Sequence, residues 1–286
     1  MSAGSRAGSV RCLSAAGFHR MAYAEWGPPD ASRTVVCVHG LTRNSRDFEV
    51  LAPALAADGW RVICPDVPGR GRSDWLADPK SYNYIQYLSD MTVLLARLAV
   101  DRVTWIGTSM GGLIGMMLAA QAGTPIERLL LNDVGPFIPK AALARIAAYA
   151  GTDPQFPDMA EAERYLRDIL AGFGDLGVDG WRRLTEASVV PAEGGGLRLN
   201  YDPRIGDAFR QAPLEDVNLW EAWDRIAVPV LGLRGIRSDV LVAETAADMS
   251  QRGPRARMID IAGCGHAPAL RAADQIDLIR EWLRTG

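Results

Sequence analysis

Histidine is scarce, cysteines are unpaired in pattern, and long apolar runs are missing from this 286-residue chain. Only three histidines are present, His19, His39 and His266, so chemistry that needs a base near neutral pH has three candidates. The four cysteines, Cys12, Cys37, Cys64 and Cys264, make no CxxC pair, and three of them lie in or beside apolar strand-like runs. Buried, reduced thiols are therefore expected, with no disulfide framework and no metal site. Nowhere do 18 consecutive apolar residues occur, and residues 1–10 hold no continuous apolar stretch; neither a spanning helix nor a secretory leader is indicated, and a cytoplasmic protein without membrane association is expected. A basic excess is also absent. The net charge is −3 and the pI is near 5.7, no Lys/Arg run is interleaved with aromatics, and nucleic acid is not an expected partner. There is no internal repeat and no low-complexity segment.

What remains is 48% hydrophobic and 23% charged, the composition of a globular chain long enough for a large core and one elaborated domain or two. Residues 9–14 and 19–25 read as an antiparallel strand pair closed by a Gly-Pro-Pro breaker at 27–29. Continuous apolar runs at 34–39 and 60–65 have the pattern of strands buried on both faces, with helical spacing of Phe48, Leu51 and Leu55 between them. An amphipathic helix over 84–98, a strand over 103–106, a helix after residue 109 and a strand over 127–132 continue the alternation. Such a βαβα pattern predicts an α/β fold with a parallel sheet, helices on both faces, and ligands bound beyond the carboxyl ends of the strands. From 137 the pattern becomes helical, near 141–150, 158–172, 179–189 and 218–226, with no strand of the sheet's kind. Strands then return at 228–233 and 256–261, with helices at 242–249 and 272–283.

The chemistry gathers at one junction. Gly107-Thr-Ser-Met-Gly111 is a G-x-S-x-G match placed between a strand and a helix, where the chain must reverse within a few residues and push Ser109 out beyond the sheet edge. A serine hydroxyl needs a base. His266 follows the last strand in a Gly-rich loop from which its ring can reach back over the sheet, whereas His39 is expected to brace the turn after its strand and His19 to lie on the surface. The base in turn needs a carboxylate. Asp239, just past the strand at 228–233, is preferred; Asp133 also follows a strand end and competes with it. The backbone N–H groups of Met110, at a helix start, and Leu41, after His39-Gly40, are placed to receive an oxyanion. The glycines of the turn 66–74 belong to a structural turn, because no GK[ST] follows them.

His39-Gly40, the 66–74 turn, Gly107 to Gly111, Ser238-Asp239 and Gly265-His266, in this order along nearly the whole chain, resemble the α/β-hydrolase superfamily. The resemblance implies an eight-stranded, mostly parallel sheet with a helical cap inserted after the sixth strand: core at 1–136 and 226–286, cap at 137–225. It carries the nucleophile onto Ser109, the acid onto Asp239, the base onto His266 and the oxyanion donors onto Leu41 and Met110, with no cofactor and no metal. Arg43 and Asn44, and Phe137 and Trp181 from the six rings Phe137, Tyr149, Phe173, Trp181, Trp220 and Trp223, are candidate substrate contacts, with two or three of these rings expected to line a pocket for a small apolar or aromatic acyl group. The expected function is a serine hydrolase of carboxylic esters or related small acyl compounds. A carbon-carbon hydrolase of ring-cleavage diketones and a ligand-binding receptor on the same fold are the alternatives.

Overall fold

In the computed structural model, which describes residues 4–210 and 213–285, the apolar runs form one sheet. β1 (Arg6–Ser14) and β2 (Gly17–Trp26) make the expected hairpin. β3 (Thr34–Val38), β4 (Arg61–Pro65), β5 (Val103–Thr108) and β6 (Ile126–Asn132) follow, connected through α1 (Leu51–Ala57), α2 (Tyr84–Leu98) and α3 (Met110–Ala119). The region 137–225 comes next. It carries β7 (Phe137–Ile138), α4 (Lys140–Ala147), β8 (Gln155–Phe156), α5 (Met159–Ile169), α6 (Gly177–Ser188), β9 (Val189–Pro191), β10 (Leu197–Leu199), α7 (Asp207–Arg210), β11 (Val217–Asn218) and α8 (Trp220–Asp224). β12 (Val230–Gly235), α9 (Ala243–Met249), β13 (Arg257–Ile261) and α10 (Ala273–Arg284) complete the chain.

The main sheet has eight strands in the order β1-β2-β4-β3-β5-β6-β12-β13. β2 runs antiparallel to both of its neighbours, and the pairs from β4 onward are parallel. β3 is buried along its whole length, as its unbroken apolar run requires when helices cover both faces. One face packs Met91, Leu94, Trp105 and Ile114; the other packs Phe48, Leu51, Leu55 and Ile279.

Residues 137–225 depart from the purely helical expectation. Their short strands form two small sheets of their own, β8-β10-β9 and β11-β7, apart from the main one. Strands of two or three residues leave no periodic signature for a sequence reading to find. Among the described residues no helix is long and apolar enough to cross a membrane.

Strand register places the site. Val38 pairs with Gly107, Thr108 with Asn132, Asn132 with Leu233, and Gly235 with Ile261, so the residues that follow these strands emerge along one edge. His39, Ser109, Asp133 and the loop carrying His266 share that edge, where ligands of open parallel sheets bind.

Candidate active site

Ser109 stands at the strand-to-helix reversal with φ 53° and ψ −117°, in the positive-φ region that few non-glycine residues enter. Such strain persists where the surroundings enforce it. Here a Cβ on Gly107 would fall 2.4 Å from the backbone of Gly111, and a Cβ on Gly111 would fall 2.1 Å from the Val38 carbonyl oxygen. Both motif glycines are therefore required by close packing of backbone on backbone. The Ser109 N–H donates to the Asn132 carbonyl at 3.0 Å, and its hydroxyl makes no capping bond to α3. That leaves Oγ free for His266.

Ser109 Oγ lies 2.9 Å from His266 Nε2, and His266 Nδ1 lies 2.8 Å from Asp133 Oδ2. A carboxylate only accepts, so the His266 proton resides on Nδ1 and Nε2 is left to accept from Ser109. Asp133 is fully buried. Its carboxylate also accepts from the Gly235 N–H at 2.7 Å and the Ser238 hydroxyl at 2.5 Å, and three donors fix its orientation. Ser238 is held by accepting from the N–H groups of Val240 and Leu241.

This corrects the expected acid. Asp239 turns away from His266 and forms a two-point ion pair with Arg145 of α4, at 2.6 and 2.8 Å. Partial burial pushes its carboxyl up, but the Arg145 guanidinium more than offsets this and holds it below the ordinary range. The physical reason lies in the sheet order. β6 sits between β5 and β12, so the residue after β6 emerges between Ser109 and the loops after β12 and β13, while Asp239 lies four residues past β12 in an exposed turn.

Leu41 and Met110 both line the cavity at Ser109 and His266, a space of about 100 Å³. Arg70, which the sequence reading passed over within a structural turn, holds both residues from behind. Its Nε donates to the Leu41 carbonyl at 2.8 Å and its Nη2 approaches Met110 Sδ at 3.7 Å.

The candidate substrate contacts divide. Arg43 lines the cavity, but its guanidinium is spent on Asp47 and on Ser188 Oγ at 2.7 Å. Asn44 does not face the cavity: its amide donates to the Ala187 carbonyl at 2.8 Å and accepts from the Arg46 N–H, joining the core to α6. Phe137 pairs with Asn218 between β7 and β11 while its neighbour Ile138 reaches the cavity. Trp181 is buried beneath Arg167, 5.0 Å from its ring centre. Tyr149 and Phe173 are the two of the six rings singled out that line the cavity. Helical spacing gave the buried face but not which end of it meets Ser109.

His39 braces the turn, as expected. Its Nε2 accepts from the Val67 N–H at 3.0 Å, so Nδ1 carries the proton and donates to the Gly40 carbonyl at 2.7 Å. Burial pushes its pKa from 6.5 down to about 4. An unfolded chain binds this proton below about pH 6.5 and the folded one does not, so the stability contributed by the neutral ring is whole above pH 6.5 and falls away toward pH 4. On the order of 3 kcal/mol is expected to be lost across that window. In urea unfolding followed from pH 7 to pH 4.5, His39→Gln is expected to be less stable at neutral pH but to show a flatter pH dependence.

His19 is buried rather than exposed, a second correction. It gathers with Cys12 and Asp90 into the one group of possible metal ligands among the described residues, with ligand atoms within 4.8 Å of one another. Nε2 of His19 pairs with Asp90 at 3.1 Å and Gln86 donates to the same carboxylate at 2.7 Å, which pins the β1–β2 hairpin to α2. Burial and the nearby Asp90 push the Cys12 thiol up to about 12, so it stays protonated. All four cysteines are free and buried.

With this geometry in place, comparisons with known proteins become specific. The family model described as alpha/beta hydrolase fold matches residues 33–273. A 3-hydroxybutyrate-oligomer hydrolase of Cupriavidus necator is 48% identical over 284 residues, covering 96% of this chain and 97% of its own. Among solved structures, an alpha/beta hydrolase from Novosphingobium aromaticivorans has a TM-score of 0.88 at 36% identity, covering 99% of each chain. A Rickettsia typhi protein reaches 0.92 at 34% identity, covering 98% of this chain and 99% of its own.

Proposed function

Because the chain belongs to the alpha/beta hydrolase fold family and is an enzyme, a hydrolase, we propose that it cleaves carboxylic esters through an acyl-enzyme on Ser109. The observation that carries this reading is the unbroken chain of hydrogen bonds from Ser109 through His266 to Asp133. In this reading Ser109 Oγ attacks the ester carbonyl as its proton passes to His266 Nε2, and Asp133 steadies the imidazolium on its Nδ1 side. The developing oxyanion accepts from the N–H groups of Leu41 and Met110. Collapse of the tetrahedral species breaks the bond to the leaving oxygen, which takes the proton from Nε2. Water, deprotonated by the same histidine, then adds to the acyl-enzyme, and the second collapse returns the proton to Ser109 and frees the acid. Residues 137–225 serve as the cap over this site.

The name of the Cupriavidus relative supplies a first substrate to try, an oligoester of 3-hydroxybutyrate. Purified protein is expected to release monomer from the 3-hydroxybutyrate trimer and to take up one equivalent of a fluorophosphonate on Ser109. Trimer left intact beside full labelling would redirect the search to other esters. Absence of both fluorophosphonate labelling and ester turnover would overturn the reading.

A further inference from the structure

A second cavity of about 410 Å³ opens off the catalytic one and shares Leu41 and Met110 with it, but its walls do not include Ser109 or His266. Leu113, Met117, Leu143 and Phe209 are among its apolar walls, and no charged side chain among the described residues lines it. Of its four polar side chains, the Tyr84 hydroxyl, which lines both cavities, makes no hydrogen bond to the described residues, and the other three are bonded elsewhere. The Tyr82 hydroxyl donates to Asp202 and accepts from the Leu76 N–H, the Tyr87 hydroxyl accepts from Arg70, and the Asn83 amide is bonded to Gln86 and to Lys80.

From this geometry we infer that the cavity is an acyl-chain compartment for an unbranched hydrocarbon of about eight carbons, longer than a four-carbon acid. The inference rests on the ester-hydrolase reading above. The direction follows from proton delivery. His266 must reach the leaving oxygen, so the alcohol lies on its flank and the acyl chain on the other, past the Leu41 and Met110 donors. The flank beyond His266 is lined by Arg145, Asp168, Arg237 and Asp239, a charged surface unsuited to a hydrocarbon. Chemistry selects the chain type. An ester-linked chain would bring several carbonyl oxygens into a space where Tyr82, Tyr87 and Asn83 are already bonded and the Tyr84 hydroxyl alone lacks a partner among the described residues, whereas methylene groups need none.

The test is a series of p-nitrophenyl esters from acetate to dodecanoate, in which the leaving group is constant. Between butyrate and octanoate kcat/KM is expected to rise about two- to fourfold per added methylene, at least tenfold in all. Met117→Trp and Ala208→Trp each place bulk in the compartment. Each is expected to lower the octanoate rate at least tenfold and leave acetate and butyrate within about twofold. Ala208 is exposed, so its variant serves if Met117→Trp fails to fold. A flat or falling series from protein that labels with fluorophosphonate, or variants that lower every chain length equally, would overturn the compartment and leave the ester-hydrolase reading standing. Should no ester turn over, that reading fails by itself, and the compartment is judged by binding. Octanoate would then raise the melting temperature of the wild type and of Ser109→Ala where equal butyrate does not, and equal or absent shifts would overturn it.

Discussion

Ser109→Ala is expected to lower kcat for ester hydrolysis by about 10⁶-fold while leaving the fold intact. The size follows from the route. Without Oγ no acyl-enzyme forms, and what remains is water attacking a substrate held by the Leu41 and Met110 donors. The hydroxyl's bond is to His266 and it does not cap α3, so its removal takes little from the structure. His266→Ala is expected to cost a similar factor, and the double variant no more than either alone, because the two groups act as a unit. Measured kcat, fluorophosphonate labelling and circular dichroism on the three proteins check this. A Ser109→Ala protein that retains ester turnover within tenfold of wild type would remove Ser109 from the mechanism.

The second large effect separates two carboxylates. Asp133→Asn is expected to lower kcat by about 10⁴-fold, since an amide at this position no longer holds the His266 proton on Nδ1 or balances the imidazolium. Some stability is expected to go with it, because three donors converge on the carboxylate and an amide nitrogen must face one of them. Asp239→Asn breaks only the half-exposed pair with Arg145, an interaction of at most about 1 kcal/mol, and is expected to leave kcat within about threefold. Steady-state kinetics of both variants, with urea unfolding to separate lost catalysis from lost fold, decide the matter. The reverse ranking would return the acid to Asp239.

Arg70 shows how a positioning role hides in a sequence. It sits in the 66–74 turn, where the glycines are the visible signal, yet it is fully buried, with its guanidinium against the Leu41 carbonyl and within about 6 Å of the ring centres of Tyr82 and Tyr87. No local pattern distinguishes it, because Leu41 is brought to it by the loop after β3 and Tyr82 and Tyr87 by the stretch that leads into α2.

The sequence by itself determined the alternation of strands and helices, the reversal at Ser109 and the return of His266 at the far end of the chain. Those are local properties. Side-chain period, a glycine on each side of a serine and a Gly-rich loop after a strand act over a handful of residues. Only the tertiary structure decided which carboxylate stands behind His266. Asp133 and Asp239 both follow strands, and the choice depends on β6 lying between β5 and β12 and on Arg145 of α4 reaching across to Asp239. The same holds for Asn44, whose amide is consumed by Ala187, and for the apolar compartment, whose walls come from α2, α3 and the 137–225 region together. Contacts between segments far apart in the chain follow from strand order and packing, and no spacing within one segment encodes them.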